Sequence, residues 1–402
     1  MDYNYNKIYQ NKKGEFIDRR KSKSFFYQHI SITCLSICIT FLFALVATLA
    51  KPLDPIKRAI KEFSFTDIYY EILKDGTTPD TCRFITIVDM TQLYDRSDIA
   101  HLLYNIEKYQ PKVIGLDVCF DDEGENIIGN DSLIHVIEKF NNIVFSSKMF
   151  DWKDDSIGWT KEVHSFFYDA TDIKEGTVNM PRTLYDNIKR RVPLYELFNG
   201  EYKPSIVTQL ANNYAGSNII KNRKEDVNIN FSPTIFRILQ YDEVEEHPEL
   251  IRGQVVLVGG VYDDTDVHWT PIGKMSGVEL IAYGLQSVMY NNEPKYLPMP
   301  MLAIVSLLII LIIEVLQHIY LEHMSKSRNI FVRYIIGSTY VLNIFTFFST
   351  SILLAISFCI FVKYNLSINL AWSLSVIAFL GTSRNMHKAL RDYFDAWNKK
   401  EK

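Results

Sequence analysis

Residues 30–50, ISITCLSICITFLFALVATLA, run for 21 positions without a charge. A helix of that length reaches about 30 Å, the thickness of a bilayer core. Three more apolar segments, 300–320, 335–362 and 366–382, lie toward the C-terminus. The expectation is four transmembrane helices. Between the first and second lies a polar stretch, 51–297, long enough for one large domain or two small ones. A cleaved signal peptide is the competing reading of 30–50, with "ATLA" as its cleavage site. The apolar region is too long and the basic leader too extended for that.

Charge sets the orientation. The leader 1–29 carries seven Lys or Arg against three acids, and the loop after 300–320 carries Lys326, Arg328 and Arg333. The tail 383–402 carries Arg384, Lys388, Arg391, Lys399, Lys400 and Lys402. With four spans all three fall on one side, and short basic segments stay in the cytoplasm. Both termini are therefore expected inside and 51–297 outside. The outer stretch holds 26 basic and 39 acidic residues, a net charge of −13. That balance argues against nucleic acid as a partner. Cys34, Cys38 and Cys359 lie in the predicted spans. Cys82 precedes one predicted strand and Cys119 ends the next. In parallel neighbours those are opposite ends of the sheet, beyond the roughly 7 Å Cα limit of a disulfide, so no bridge is expected.

Within 51–297 the pattern is α/β. "RFITIVDM" (83–90) is a short β-branched run, and "SDIAHLLYNIEKYQ" (97–110) has apolar residues at helical spacing behind a Ser97 cap. "KVIGLDVCF" (112–120) is a second strand. Strand, helix and strand make a βαβ unit with parallel, buried strands. Helix "DSLIHVIEKF" (131–140), strand "NIVFSSKMF" (142–150), strand "GQVVLVGG" (253–260) and helix "GVELIAYGLQSVMYNN" (277–292) extend it. The middle, 151–250, is less regular and more β-rich: "VNINF" (227–231) alternates as an edge strand would, and "TIFRILQYDEV" (234–244) suggests a strand leading into a short helix.

In such sheets the loops at the carboxyl ends of the strands form the ligand crevice. Asp89, Asp117, Asp121 and Asp122 sit at those ends, and the loop after "VVLVGG" adds Asp263, Asp264, Asp266 and His268. We take Asp89, Asp117, Asp121, Asp263 and Asp266 as the candidate ligand-binding residues. An aspartate phosphatase needs Asp-x-Asp after its first strand. Asp89 is followed instead by Thr91, and Asp117 by Cys119. Clustered carboxylates offer a divalent cation, calcium or magnesium, the oxygens it needs, although acidic loops are commonly just solvated. No other cofactor is indicated. "VGGVYDDTD" lacks the lysine of a phosphate loop, and no Gly-x-Ser-x-Gly elbow is present. No catalytic residue is assigned, and an extracytoplasmic hydrolase is the least supported reading. For Asp117, a backbone-capping role that ends the strand is the commoner expectation.

The ordered signals of 63–297 resemble the CHASE-two domain, an extracellular sensor of bacterial histidine kinases and nucleotide cyclases. "FSFTDIYYEIL" resembles its opening, with Asp67 in the place of the usual aspartate, and "FITIVDM" followed by "QPKVIGLDVCF" resembles its core. "GTVNMPRTLYDNIKRRVPL" supplies Gly176, Asn179, Asp186, Arg190 and Pro193. The closing segment matches at Asp266, Thr270, Pro271, Gly277, Glu279 and Ala282, while Gln254 stands for a lysine and Ser276 for a proline. The resemblance implies a sensor in a bacterial inner membrane. Members often continue into a kinase or cyclase, whereas only 383–402 follows the last predicted span, so no output enzyme is expected in this chain.

An event outside would then leave through the spans and tails to a partner: a membrane or cytoplasmic protein, or a second copy by self-association. A structural subunit of an envelope complex, without a ligand, is the alternative. Glu314, an acid within a span, is a candidate contact, although it lies about 7 Å from the inner boundary and can reach the interface. The tail places Met386, Leu390, Tyr393, Phe394 and Trp397 on one helical face. That face suits the bilayer surface or a partner, with Leu390, Phe394 and Trp397 as its candidate contacts.

Overall fold

The computed structural model describes residues 9–10, 16–17, 19–49, 65–124, 126–181, 187–221 and 226–400. Asp186 lies outside them. The chain divides into two compact units: residues 61–295, and a second formed by 1–60 with 296–402.

Helix α1 (Arg19–Leu49) opens the second unit. The first unit begins with α2 (Phe65–Gly76). Strand β1 (Asp80–Asp89), α3 (Arg96–Glu107), β2 (Val113–Leu116), α4 (Ile127–Lys139) and β3 (Ile143–Trp152) follow. Four short strands come next: β4 (Trp159–Val163), β5 (Lys174–Thr177), β6 (Tyr195–Phe198) and β7 (Glu201–Pro204). Helix α5 (Ile206–Ala215), β8 (Thr234–Gln240) and β9 (Val255–Gly259) return to the sheet. A hairpin, β10 (Val267–Thr270) and β11 (Gly273–Ser276), leads into α6 (Gly277–Met289).

These strands make a nine-stranded sheet in the order β7-β6-β4-β3-β2-β9-β1-β8, with β5 beside β3. From β8 to β3 the strands are parallel. β9 lies between β1 and β2, so the βαβ strands are parallel but not adjacent. The ten residues of β3 serve two sheets' worth of pairing. Its first half pairs with β2 and β5, and its second half pairs antiparallel with β4. All five cysteines are free, Cys82 being buried. "VNINF" contributes only Val227–Asn228, paired with Arg191–Val192, and the stretch after Gln240 forms turns instead of a helix.

Both faces of the parallel core are covered. α3 and α4 pack on one face through Leu103, Ile106 and Leu133 against Val88, Ile114 and Leu116, all fully buried. On the other face, Gly115 of β2 lets Leu210 of α5 approach: a Cβ there would stand 2.9 Å from the leucine methyls. The start of α6 is fixed by a capping box. Ser276 accepts from the Glu279 backbone, and Glu279 accepts from Ser276.

In the second unit, α7 (Met299–Ser325) and α8 (Thr339–Tyr364) are long and apolar, as is Phe26–Val46 within α1. These three helices are long and apolar enough to cross a membrane. The fourth predicted span, 366–382, is not one such helix. It contains α9 (Ala371–Ala378), a break at Phe379, and the first turn of α10 (Leu380–Lys400). At the break the ladder tightens, with Phe379 N–H donating to Val376 O at 3.1 Å. It resumes at Ser383 N–H to Phe379 O, 2.9 Å, with Gly381 between them.

Candidate functional site

The carboxyl ends of β1, β2 and β9, the middle of β3 and the start of α6 surround a cavity of about 1190 Å³. Asp117, Lys148, Asp263, Asp266, His268 and Gly277 are in its wall. That volume is somewhat larger than the roughly 300–1,000 Å³ usual for small-ligand sites.

Asp117 is held at the wall by its backbone, whose N–H donates to Val258 O at 2.8 Å. Among the described residues no backbone N–H donates to its carboxylate, so the expected capping role falls elsewhere. Asp89 takes that role. Buried at 2% exposure, it accepts from Thr91 N (3.2 Å), Thr91 Oγ1 (2.6 Å) and Val261 N (2.8 Å), tying the ends of β1 and β9 together. Asp89 shapes the cavity rim from behind and is not part of its wall.

Asp117 and Asp266 converge on Gly277. A Cβ at Gly277 would collide with the Asp266 carboxylate and stand 3.3 Å from Asp117 Oδ2, so only glycine lets the helix start this close to both acids. Burial, then the Asp266 charge, pushes the Asp117 carboxyl up to about 6, against the opposing effects of Lys148, His268 and a hydrogen bond from Ser146. His268 Nε2 stands 3.2 Å from Asp266 Oδ1, and that bond holds Asp266 below the usual carboxylate range. The two acids therefore differ in character although they share one position.

Asp263 accepts from Thr265 N (2.8 Å) and Thr265 Oγ1 (2.7 Å), which lowers its carboxyl below the usual range. Asp121 is exposed and away from the cavity wall, and Asp122 pairs with Arg96 at 2.9 Å. Among the described residues no three His, Cys, Asp or Glu side chains are grouped to hold a metal ion. The donor set fits a divalent cation, the lesser of the two readings of the acidic loops, poorly, because His268 and Lys148 compete for the same carboxylates. Burial pushes the Cys119 thiol up to about 11, which keeps it protonated. Among the described residues no hydroxyl or thiol is hydrogen-bonded to His268.

Lys148 was not foreseen. Its signal is the single charge in "NIVFSSKMF", at the point where β3 leaves the parallel core: Ser147 is buried and Lys148 exposed. Trp269, half exposed beside it in the wall, carries Lys274 over its ring at 4.9 Å.

Other motif residues hold the frame. Arg190 Nε and Nη2 clasp Asp67 at 3.0 and 2.7 Å across 123 positions, fixing α2 to the segment before β6. Asn179 gives and takes a bond with the Met149 backbone, both 2.8 Å. Gly176 lies against Ile206, where a Cβ would meet backbone at 2.5 Å. Thr270 Oγ1 donates to Gly273 O at 2.7 Å, closing the hairpin around Pro271.

In the second unit Glu314 is fully buried among the helices. It meets His29 Nδ1 of α1 at 3.3 Å and Arg384 of α10. Arg384 also donates to Gln317 Oε1 at 3.0 Å, and Gln317 donates to Thr346 Oγ1 of α8 at 2.8 Å. Direct contact with a partner is closed to Glu314 in this arrangement. Leu390, Phe394 and Trp397 are exposed at 42, 59 and 52%.

The fold is a sheet domain with a charged cavity at its strand ends, followed in the chain by helices long and apolar enough to cross a membrane. A family model for the CHASE2 domain matches residues 39–316. The chain belongs to the CHASE2 domain family, whose domain is extracellular and sensory. No curated protein and no solved structure matches the chain.

Proposed function

We propose that this chain is a bacterial inner-membrane sensor that takes a small ligand into the Asp117 cavity and signals through a partner protein. The observation that carries the reading is the cavity itself. It is formed where the sheet's loops gather, and it contains a half-buried carboxyl raised to about 6, a group that folding alone would not favour. Binding is the chemistry this wall supports, with no nucleophile assigned.

Four spans, with both termini inside, fit the packing of the second unit. Ser36 Oγ of α1 donates to Val376 O at 2.7 Å, the Phe43 and Phe379 rings are 5.8 Å apart, and His29 meets Arg384 through Glu314. From His29, joined through Glu314 to Arg384, to Phe43 beside Phe379, the numbering of α1 and of 379–384 runs in opposite senses, as in antiparallel neighbours, and Ser36 ties α1 to α9. The apolar part, 371–383, covers about 20 Å, and the neutralised Arg384 extends the stretch that can stay out of water. The exposed aromatic face of α10 is the surface we assign to the partner.

The test uses the full chain purified in mild detergent. Melting is followed with and without the low-molecular-weight fraction of growth medium, for the wild type and Val267→Trp, which fills the cavity from β10. A sensor gains stability from that fraction only in the wild type. Equal curves in both proteins support the ligand-free structural subunit instead. A photoreactive residue at 394 should capture one specific protein, and lipid adducts alone would remove the partner.

A further inference from the structure

We infer that the cavity binds a zwitterion of the α-amino-acid class, its ammonium group between Asp117 and Asp266 and its carboxylate on Lys148. This rests on the ligand-binding reading above and names the ligand's chemistry.

Three observations carry it. First, two carboxylates face one glycine at the start of α6, and one of them, half-buried, stands against the other's charge. A cation placed there relieves Asp117 and screens the repulsion between the two acids, and an ammonium with three donors can bond to each. Second, the Lys148 ammonium acts electrostatically on Asp117, Asp266 and Cys119, yet among the described residues it is in no ion pair. It is a donor left beside the acids without closing onto them. An α-amino acid carries its opposite charges on one carbon, so its site needs an acceptor and a donor across the same short space. Third, Arg96, another cation of the wall, is committed. Arg96 bonds to Asn130 Oδ1 (2.6 Å) and Asp122 (2.9 Å) and lies 4.9 Å from the Phe166 ring centroid. Leu93, Phe150 and Trp269 share the wall with Asn179 and Asn187, which leaves room for a side chain besides the two charged groups.

A metal ion would use the carboxylates but leave Lys148 as a repelling neighbour. A simple anion would meet Asp117 and Asp266 directly. Only a ligand with both charges satisfies the whole wall.

The full chain in detergent is titrated calorimetrically with the twenty common L-amino acids, then with the amine and the carboxylic acid matched to the best binder. The expected result is binding of the amino acid and at least a hundredfold loss for each matched compound. Asp117→Asn and Lys148→Gln should each weaken binding at least tenfold while circular dichroism and melting stay cooperative. Equal binding of the matched amine would overturn the assignment of Lys148, and equal binding of the matched acid would overturn that of the aspartates. If no amino acid binds but the medium fraction still stabilises the wild type and not Val267→Trp, the zwitterion falls and the sensor stands. If neither binds, both fall.

Discussion

Asp117→Asn should make the unliganded protein more stable at neutral pH. The Asp117 carboxyl moves from an ordinary 3.8 to about 6 on folding, with burial the first cause and Asp266 the second. A raised carboxyl is at its most favourable below the unfolded value, and stability is lost as pH rises through the folded one. Two units correspond to about 3 kcal/mol by the time the group is fully ionised. Asparagine keeps the shape without the charge but exchanges one acceptor for donors next to Ser146 and Asp266. The net gain expected at pH 7.5 is therefore about 1–3 kcal/mol, shrinking towards zero near pH 4. Global melting mixes two units, so a local probe is preferable. Amide hydrogen exchange of Val258 and the first turn of α6 should slow in Asp117→Asn at pH 7.5. At pH 4, with rates corrected for intrinsic exchange, the two proteins should match. A variant that exchanges faster at pH 7.5, or a difference independent of pH, would refute the reasoning.

Four further outcomes follow from the same geometry. A membrane-impermeant thiol probe on single-cysteine variants at 11, 150 and 399 should label intact cells only at 150, and labelling at 11 would remove the proposed topology. Glu314→Gln should cost about 3–5 kcal/mol by leaving Arg384 without its counter-charge, and the double variant with Arg384→Gln should cost less than the single one; a double loss equal to the sum of the two single losses would show that the charges are independent. Asp67→Asn should break the clasp with Arg190 and raise protease sensitivity around 187–191, while Asp121→Asn, at an exposed position, should leave it unchanged. If Asp117 must be ionised to hold a cationic ligand, affinity should fall about tenfold for each pH unit below 6, and constant affinity from pH 5 to 7.5 would exclude its part.

The alternation of apolar runs with helical spacing made the α/β core readable, because β1, β2 and β9 are buried on both faces and leave continuous apolar strings. Their adjacency was not readable. β9 enters between β1 and β2 from 139 positions beyond the end of β2, and no local pattern marks that insertion. The acidic edge could be seen as a composition, and the cavity does contain Asp117, Asp263 and Asp266. Division of labour among the acids depends on tertiary packing. Asp89 and Asp117 both end apolar strands, yet one is surrounded by N–H and O–H donors from Thr91 and Val261, and the other faces open space beside Gly277. Lys148 was missed because a lysine at a strand's end ordinarily marks solvent. The fourth predicted span failed as one helix because hydropathy averages over 366–382 and does not register the break at Phe379 before Gly381.

Hydrogen exchange of the full chain in nanodiscs, with and without the low-molecular-weight fraction of growth medium, tests the central claim most directly. Occupancy of the cavity predicts slower exchange at 89–91, 117–120 and 263–279. Val267→Trp should abolish that change. Exchange that is identical in both conditions, or altered only in segments remote from those three, would contradict the account of this domain as a ligand-binding sensor.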